Sequence, residues 1–423
     1  MNLFRPLVFG AWLVAAAVSA ADWPQWRGPD RTGHAANQAK LIQTFPAEPK
    51  TLWRLRAGEG LASPVVARGR VFIFDNQAGE ETLRAVDAAR GQELWRASVD
   101  VVFRDSQGPS GPRCTPVVDE DRAYVQSCRG ELRCLNVVHG TTLWRVNFTR
   151  DFGATFIGEK GTAQGATRHG NNGSPAVDGD RLYVQVGSTR GAGVVCFDKT
   201  TGQVIWKSQS DLASYAAPMI ATIAGTRQLV SFTADGVIGL KPNDGVLLWR
   251  FPVKTDFSRH AVTPLIKDDV IVVSSHQAGL IGIKVAARDS GQTAVQSWLN
   301  KQAAINFASP VAVGGYLYGL GPNKNVECVE VATGRVRWSK EGWWTTSADK
   351  AYGAFLVLGK NILVLTDGGT LILFAADPKE CREVARAQVC GANWCNPAYA
   401  DGQLFLRDGL RQRGEWKAVS LLR

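Results

Sequence analysis

The chain has 423 residues, of which 45% are hydrophobic, with 44 glycines, 14 tryptophans and a formal net charge of +10. A chain this long is either several domains or one domain stretched by a repeat, and the repeat described below decides for the second. The positive charge forms no basic cluster interleaved with aromatics, which argues against nucleic acid and leaves an anionic envelope surface, an acidic partner or simple solubility as its reason.

Residues 1–20 read as a signal peptide: Arg5 supplies the positive end, an apolar run extends from Leu7 to Val18, and Val18-Ser19-Ala20 offers small residues for cleavage. The run is shorter than the roughly 18 to 20 residues of a spanning helix, and no later segment is long enough to span either. Ala20, Ala21 and Asp22 stand where a lipid-bearing cysteine would be required. The expectation is a periplasmic or secreted chain with an N-terminal extension at 21–50.

From there one pattern returns: Ser/Thr-Pro-Val-Val, a turn, a β-rich run, a second turn, an alternating run ending in Asp, then Thr-Gly and Trp-Arg. Copies begin at Ser63-Pro64, Thr115-Pro116, Ser174-Pro175, Ala217-Pro218, Thr263-Pro264, Ser309-Pro310 and Asn396-Pro397, with a degenerate copy near Tyr352-Gly353. Successive proline spacings of 52, 59, 43, 46 and 46 residues fit four short strands plus turns, the period of a propeller blade. Tryptophans at 53, 95, 144, 206, 249, 298 and 338 mark the ends of the copies. Trp53 precedes the first complete copy, while the last one stops after its third strand, around Trp416–Ser420. Pairing those two fragments predicts an all-β, eight-bladed propeller over 51–423, closed by the N-terminal strand and free of open sheet edges.

The segments AVDAARGQELW (Ala85 to Trp95), CFDKTTGQVIW (Cys196 to Trp206) and CVEVATGRVRW (Cys328 to Trp338) share the pattern Ala-x-Asp-x-x-Thr-Gly-x-x-x-Trp. Worn versions run from Cys134 to Trp144 and from Gly239 to Trp249. Glycine suits a positive-φ turn between the third and fourth strands, and the tryptophan suits burial between blades. These motifs resemble the PQQ-like propeller repeats of quinoprotein dehydrogenases and of the outer-membrane β-barrel assembly lipoprotein. The opening Trp23-Pro24-Gln25-Trp26-Arg27-Gly28-Pro29 is similar to the start of many exported members of that family. A repeat fixes the fold and leaves the function open.

Of eight cysteines, Cys134, Cys196 and Cys328 occupy the small position of the motif and read as buried thiols replacing Ala85. Cys390 and Cys395 flank the loop Gly391-Ala392-Asn393-Trp394 and form the candidate disulfide, with two free thiols as the alternative. A zinc site there would need a second pair at ligand spacing, so no metal is expected.

His34 and His139 read as ordinary surface or packing residues. Loops that enter first strands, and turns joining second to third strands, share one face of a propeller, the mouth of its channel. That topology gathers Arg113, Arg168, His169, Asn171, Asn172, Arg259, His260, His276, Asn306, Phe307 and Trp394 as candidate binding residues. The long glycine-rich insertion 147–173 ends in Arg168-His169-Gly170-Asn171-Asn172-Gly173 and is the leading recognition candidate, against a flap that orders nothing.

Two function classes follow. One is a non-catalytic, monomeric exported scaffold binding an envelope protein, peptidoglycan or glycan at the mouth. The other is a PQQ-dependent alcohol or sugar dehydrogenase. The resemblance implies for the second a quinone, a calcium ion held by acidic and amide side chains, an Asp base and often a disulfide between adjacent cysteines. This chain has no Cys-Cys dipeptide, no catalytic residue carries over by motif, and the expectation is no bound cofactor, with PQQ and calcium as the alternative.

Overall fold

Eight four-stranded antiparallel sheets take up all 32 strands of the described residues, and in seven of them the four strands follow chain order. The computed structural model describes residues 22–422 apart from 37–38, 106–107, 155–168, 289–290, 306, 348–350 and 412. The expected signal peptide, Arg168 and Asn306 lie outside the described residues. The eighth sheet is assembled from both ends of the chain: Lys50–Arg56 lies against Glu415–Ser420, which continues to Gln403–Asp408 and Ala398–Ala400. Trp53 pairs with Ala418 and Leu55 with Trp416. The expected ring closure is therefore present.

Within a blade, the second and third strands are apolar on both faces because each face meets a neighbouring blade. Arg70–Gln77 and Glu80–Asp87 are buried over most of their length, whereas the outer strand Glu93–Val101 alternates between covered and exposed residues. The small residue of the repeat pattern sits directly across from the tryptophan: Ala85 opposite Trp95, Cys134 opposite Trp144, Cys196 opposite Trp206 and Cys328 opposite Trp338. The thiols are buried, and desolvation pushes Cys134 and Cys196 up to about 12. They fill space and offer no reactive thiolate.

Each tryptophan then crosses to the following blade. Trp53, Trp95, Trp144 and Trp206 donate their indole N–H to the carbonyls of Ala88, Val137, Lys199 and Pro242, at 2.8 to 3.1 Å. Trp298 and Trp338 do the same to Val331 and Asp377. Under the rings of Trp53, Trp95, Trp144, Trp206 and Trp298 lies the next blade's turn glycine, which gives that glycine two reasons to be there. Gly202 has φ +72, and a Cβ on it would stand 2.6 Å from the Trp144 ring. Gly202→Ala should therefore lower stability by about 1 to 3 kcal/mol, from backbone strain plus displacement of the indole. A urea midpoint equal to that of the parent chain would refute the docking account.

Trp249 departs from the pattern. In blade five the third and fourth strands are the long pair Gly279–Arg288 and Gly291–Asn300, and no described glycine of that blade lies against the Trp249 ring. Trp249 instead donates to Gln228 Oε1 within its own blade, at 2.6 Å.

Candidate functional site

The extension at 22–49 occupies the ring axis, which sequence alone did not place. Asp22 accepts from the Arg68 backbone, and the Lys40 backbone donates to Asp401. Both partners lie in turns between first and second strands, on the face opposite the mouth. Between these anchors the chain climbs into the channel. Trp23 exchanges two backbone hydrogen bonds with Val66 of blade one, and Pro24 accepts from Val118 of blade two. Trp26 donates to Thr263 Oγ1 of blade five at 2.8 Å. Arg31 reaches Ser174 and Pro175 carbonyls of blade three at 3.0 and 2.6 Å, and Arg27 reaches the Pro310 carbonyl of blade six. His34 Nε2 lies 2.8 Å from the Ala312 carbonyl, and the flanking Gly33 and Ala35 bond Val357 of blade seven. Thus the Trp23–Pro29 motif and the residues after it fill the channel, having entered from the face opposite the mouth.

Both plug arginines are buried. Desolvation pushes Arg27 down to about 10 and Arg31 to about 9, the latter further lowered by the charge of Arg27. Each stays cationic at neutral pH, held by carbonyl dipoles in place of a carboxylate.

Above the plug, three loops from different blades bring a polar cluster together. Asp105 precedes blade two, His169 precedes blade three and Arg259 precedes blade five. Asp105 Oδ2 accepts from Arg113 Nη2 and from His169 Nδ1, both at 2.5 Å. Arg259 Nη1 donates to His169 Nε2 at 3.2 Å. That geometry assigns the ring proton to Nδ1. The His169 backbone also donates to the Tyr215 hydroxyl, whose ionisation burial pushes up to about 12. Arg259 stacks on Phe257 at 4.3 Å, and Phe257 lies 6.5 Å from the exposed His276. No carboxylate among the described residues pairs with Arg259, and no hydroxyl or thiol side chain among them is bonded to the His169 ring. The cluster can orient a ligand and attract negative charge, and among the described residues no nucleophile is bonded to its histidine ring.

A second, aromatic cluster lies on the same face. Phe307, from the loop before blade six, meets Trp394, from the loop before blade eight, with centroids 5.5 Å apart. Trp394 in turn stacks on Tyr352 at 5.5 Å. Phe307 and Phe257 are both 38% exposed.

Other expected binding residues do structural work. His260 is fully buried, stacked on Phe232 at 4.2 Å and bonded to Ser275 Oγ at 2.8 Å. It faces the core, because the chain turns inward one residue after Arg259. Asn171 is 1% exposed and joins blades, accepting from Gln126 at 2.8 Å and donating to the Gln185 carbonyl. Asn172 is half-buried and accepts from the Cys128 thiol. The end of the long insertion is thus fastened to the ring, while its middle, 155–168, lies outside the described residues. Asp105, absent from the expected set, is the residue that organises the cluster; its 64-residue separation from His169 left no sequence signal.

Cys390 and Cys395 are buried free thiols, the second of the two alternatives open in the sequence. Asn393 closes their loop instead: its side chain bonds both the carbonyl and the amide of Cys395, at 2.8 and 3.2 Å, and its backbone bonds Asp367. With the turn already held by hydrogen bonds, no cross-link is needed to shape it. His139 is exposed in a turn, as expected.

Among the described residues no group of three or more His, Cys, Asp or Glu side chains converges.

Against known proteins, the profile of the family described as outer membrane protein assembly factor BamB matches residues 79–340. BamB of Shewanella oneidensis is 22% identical over 371 residues, spanning 82% of this chain and 85% of that protein. BamB of Moranella endobia is 23% identical over 261 residues, spanning 59% of this chain and 62% of that protein. Among solved structures, BamB of Moraxella catarrhalis superposes with TM-score 0.58 at 13% identity, covering 88% of this chain and all of the other. A quinohemoprotein alcohol dehydrogenase of Pseudomonas putida superposes with TM-score 0.64 at 12% identity, covering 98% of this chain and 82% of that enzyme. Those two likenesses concern the fold.

Proposed function

The chain belongs to the family of outer membrane protein assembly factor BamB, and from that premise we propose that it is an exported, non-catalytic scaffold that holds a segment of an envelope protein at the mouth of its ring. The observation that supports this most is Arg259, stacked on the exposed Phe257 and paired with no carboxylate among the described residues, on the face that also carries the exposed Phe307. An aromatic and arginine surface with a polar surround is the composition of a protein-binding hot spot, and its cation selects a partner segment carrying acidic side chains. Location in the periplasm, with residues 1–20 removed as a signal peptide, is part of the same proposal. No helix among the described residues is long and apolar enough to cross a membrane.

The test is photo-crosslinking from position 307 in living cells, followed by identification of the adduct. The expected adducts are proteins of outer-membrane assembly. Arg259→Glu should reduce the adduct at least tenfold, since reversing the charge replaces attraction by repulsion worth roughly 1.4 kcal/mol or more. Equal adduct yield in Arg259→Glu, or adducts confined to unrelated proteins, would remove the mouth from consideration.

A further inference from the structure

On the same face as the mouth but toward the outer strands of the ring, between blades five and six, lies a cavity of about 520 Å³. Lys301 and Gln302 border it on one side, and Asn325, Glu327, Val336 and Ser339 on the other. Its size falls within the range of small-molecule sites. Glu327 is 7% exposed and Asn325 2% exposed, so both polar side chains are held inside the protein surface.

Asn325 is saturated and acts as the positioning residue. Its amide donates to Glu327 Oε1 at 2.9 Å and to Ser339 Oγ at 2.6 Å, while its own oxygen accepts from the Asn323 backbone at 3.0 Å. Gly321 backs the pair, since a Cβ there would stand 2.7 Å from Asn325 Oδ1 and from Glu327 Cδ. The consequence is directional. Ser339 already accepts a hydrogen bond, so its own proton is free to be donated outward. Glu327 retains a second oxygen with no protein partner, and no cation lies within ion-pair distance of it among the described residues. Burial raises the Glu327 carboxyl above its ordinary value, opposed by the Asn325 amide, so a donor arriving from a ligand would relieve a desolvated acceptor.

The geometry points to a binding site for a hydroxyl-rich saccharide unit. Neighbouring sugar hydroxyls each donate and accept, which matches an outward-donating serine beside a carboxylate oxygen, with Gln302 able to do both. Lys301 and Glu327 carry opposite charges, so the pocket favours neither a simple anion nor a simple cation. Val336 supplies apolar surface for the C–H face of the ring. This site is independent of the proposed partner surface, and neither depends on the other.

Saturation-transfer NMR and calorimetry on the intact protein test it, with the N-acetylglucosamine trisaccharide and maltotriose as the two probes. Transfer to either one supports the site, and which one binds distinguishes an amino-sugar glycan from a plain hexose. Glu327→Gln keeps the shape and should weaken binding roughly tenfold. Ser339→Trp, at an exposed position of the outer strand Val336–Lys340, should fill the cavity and abolish binding. Arg259→Glu at the mouth should leave it unchanged. The site is overturned if neither sugar shows transfer, or if binding survives Ser339→Trp; should Glu327→Gln fail to fold, Ser339→Trp decides alone.

Discussion

Removal of residues 51–56 will leave a chain that does not melt as the full ring does. The strand Lys50–Arg56 covers the outer edge of Glu415–Ser420 along six paired positions, and deleting it exposes that edge and the eighth blade's apolar side. Trp53 is 8% exposed and joins the largest core cluster, with Trp416, Phe405 and Val71. A buried tryptophan of roughly 200 Å² is worth about 5 kcal/mol at ~25 cal/mol per Å², comparable to the whole net stability of many domains. Other contacts cross the same joint: Trp416 donates to Asp75 of blade one at 3.0 Å, and Ala57 donates to the Gly414 carbonyl at 2.9 Å. The expected result by calorimetry is loss of the single cooperative transition. A shortened chain melting at the parent temperature would show that the ring closes by other means.

Stability should also fall as pH rises from about 6.5 to about 8, and Glu81 should be the cause. Glu81 is fully buried, accepts from the backbone amides of Phe103 and Cys128 at 3.2 and 3.1 Å, and is pushed up to about 8 by desolvation. Between about 4.5 and 8 the folded chain holds a proton that the unfolded chain has released, so raising the pH favours unfolding. At about 1.4 kcal/mol per pH unit the total is on the order of 5 kcal/mol, of which about 2 falls between pH 6.5 and 8.

His260 acts in the opposite sense. Desolvation lowers it to about 4, so between about 4 and 6.5 the unfolded chain binds a proton that the folded one does not. That stability is complete above 6.5 and lost as the pH falls toward 4. Glu81 and His260 oppose each other from about 4.5 to 6.5, with the half-buried His34 acting in the same sense as His260, so the decline in urea midpoint should be steepest above 6.5. In Glu81→Gln the decline above 6.5 should vanish and a rise from 4.5 to 6.5 should emerge, whatever the variant's absolute stability. A decline that persists in Glu81→Gln would assign the titration to another group.

The fold was legible because its determinants are local and repeated. Gly202 is needed by its own turn, Trp144 by its own strand, and Ala85, Cys134, Cys196 and Cys328 by the tryptophan directly across the ladder. Each requirement recurs at blade spacing and leaves a periodic mark. The orphan strand at Trp53 was readable for the same reason: a repeat cut at one end implies its missing piece at the other. The candidate site was legible only as a set of loops. Topology placed Arg113, His169, Arg259, His276, Phe307 and Trp394 on one face, but could not tell Arg259, which faces outward, from its neighbour His260, which is buried against Phe232.

The sequence by itself determined the number of blades, the closing strand and the face on which loops gather, because those follow from spacing along the chain. Tertiary structure alone decided that the extension around Arg27 and Arg31 plugs the axis, that Asp105 binds His169, and that Asn325 fixes Glu327 beside an open cavity. It also decided that Asn393 holds the loop between Cys390 and Cys395 without a cross-link. The first two of these depend on contacts between residues far apart in the chain. All four depend on how much water is excluded at each point, and neither distance in space nor burial leaves a periodic trace in a single sequence.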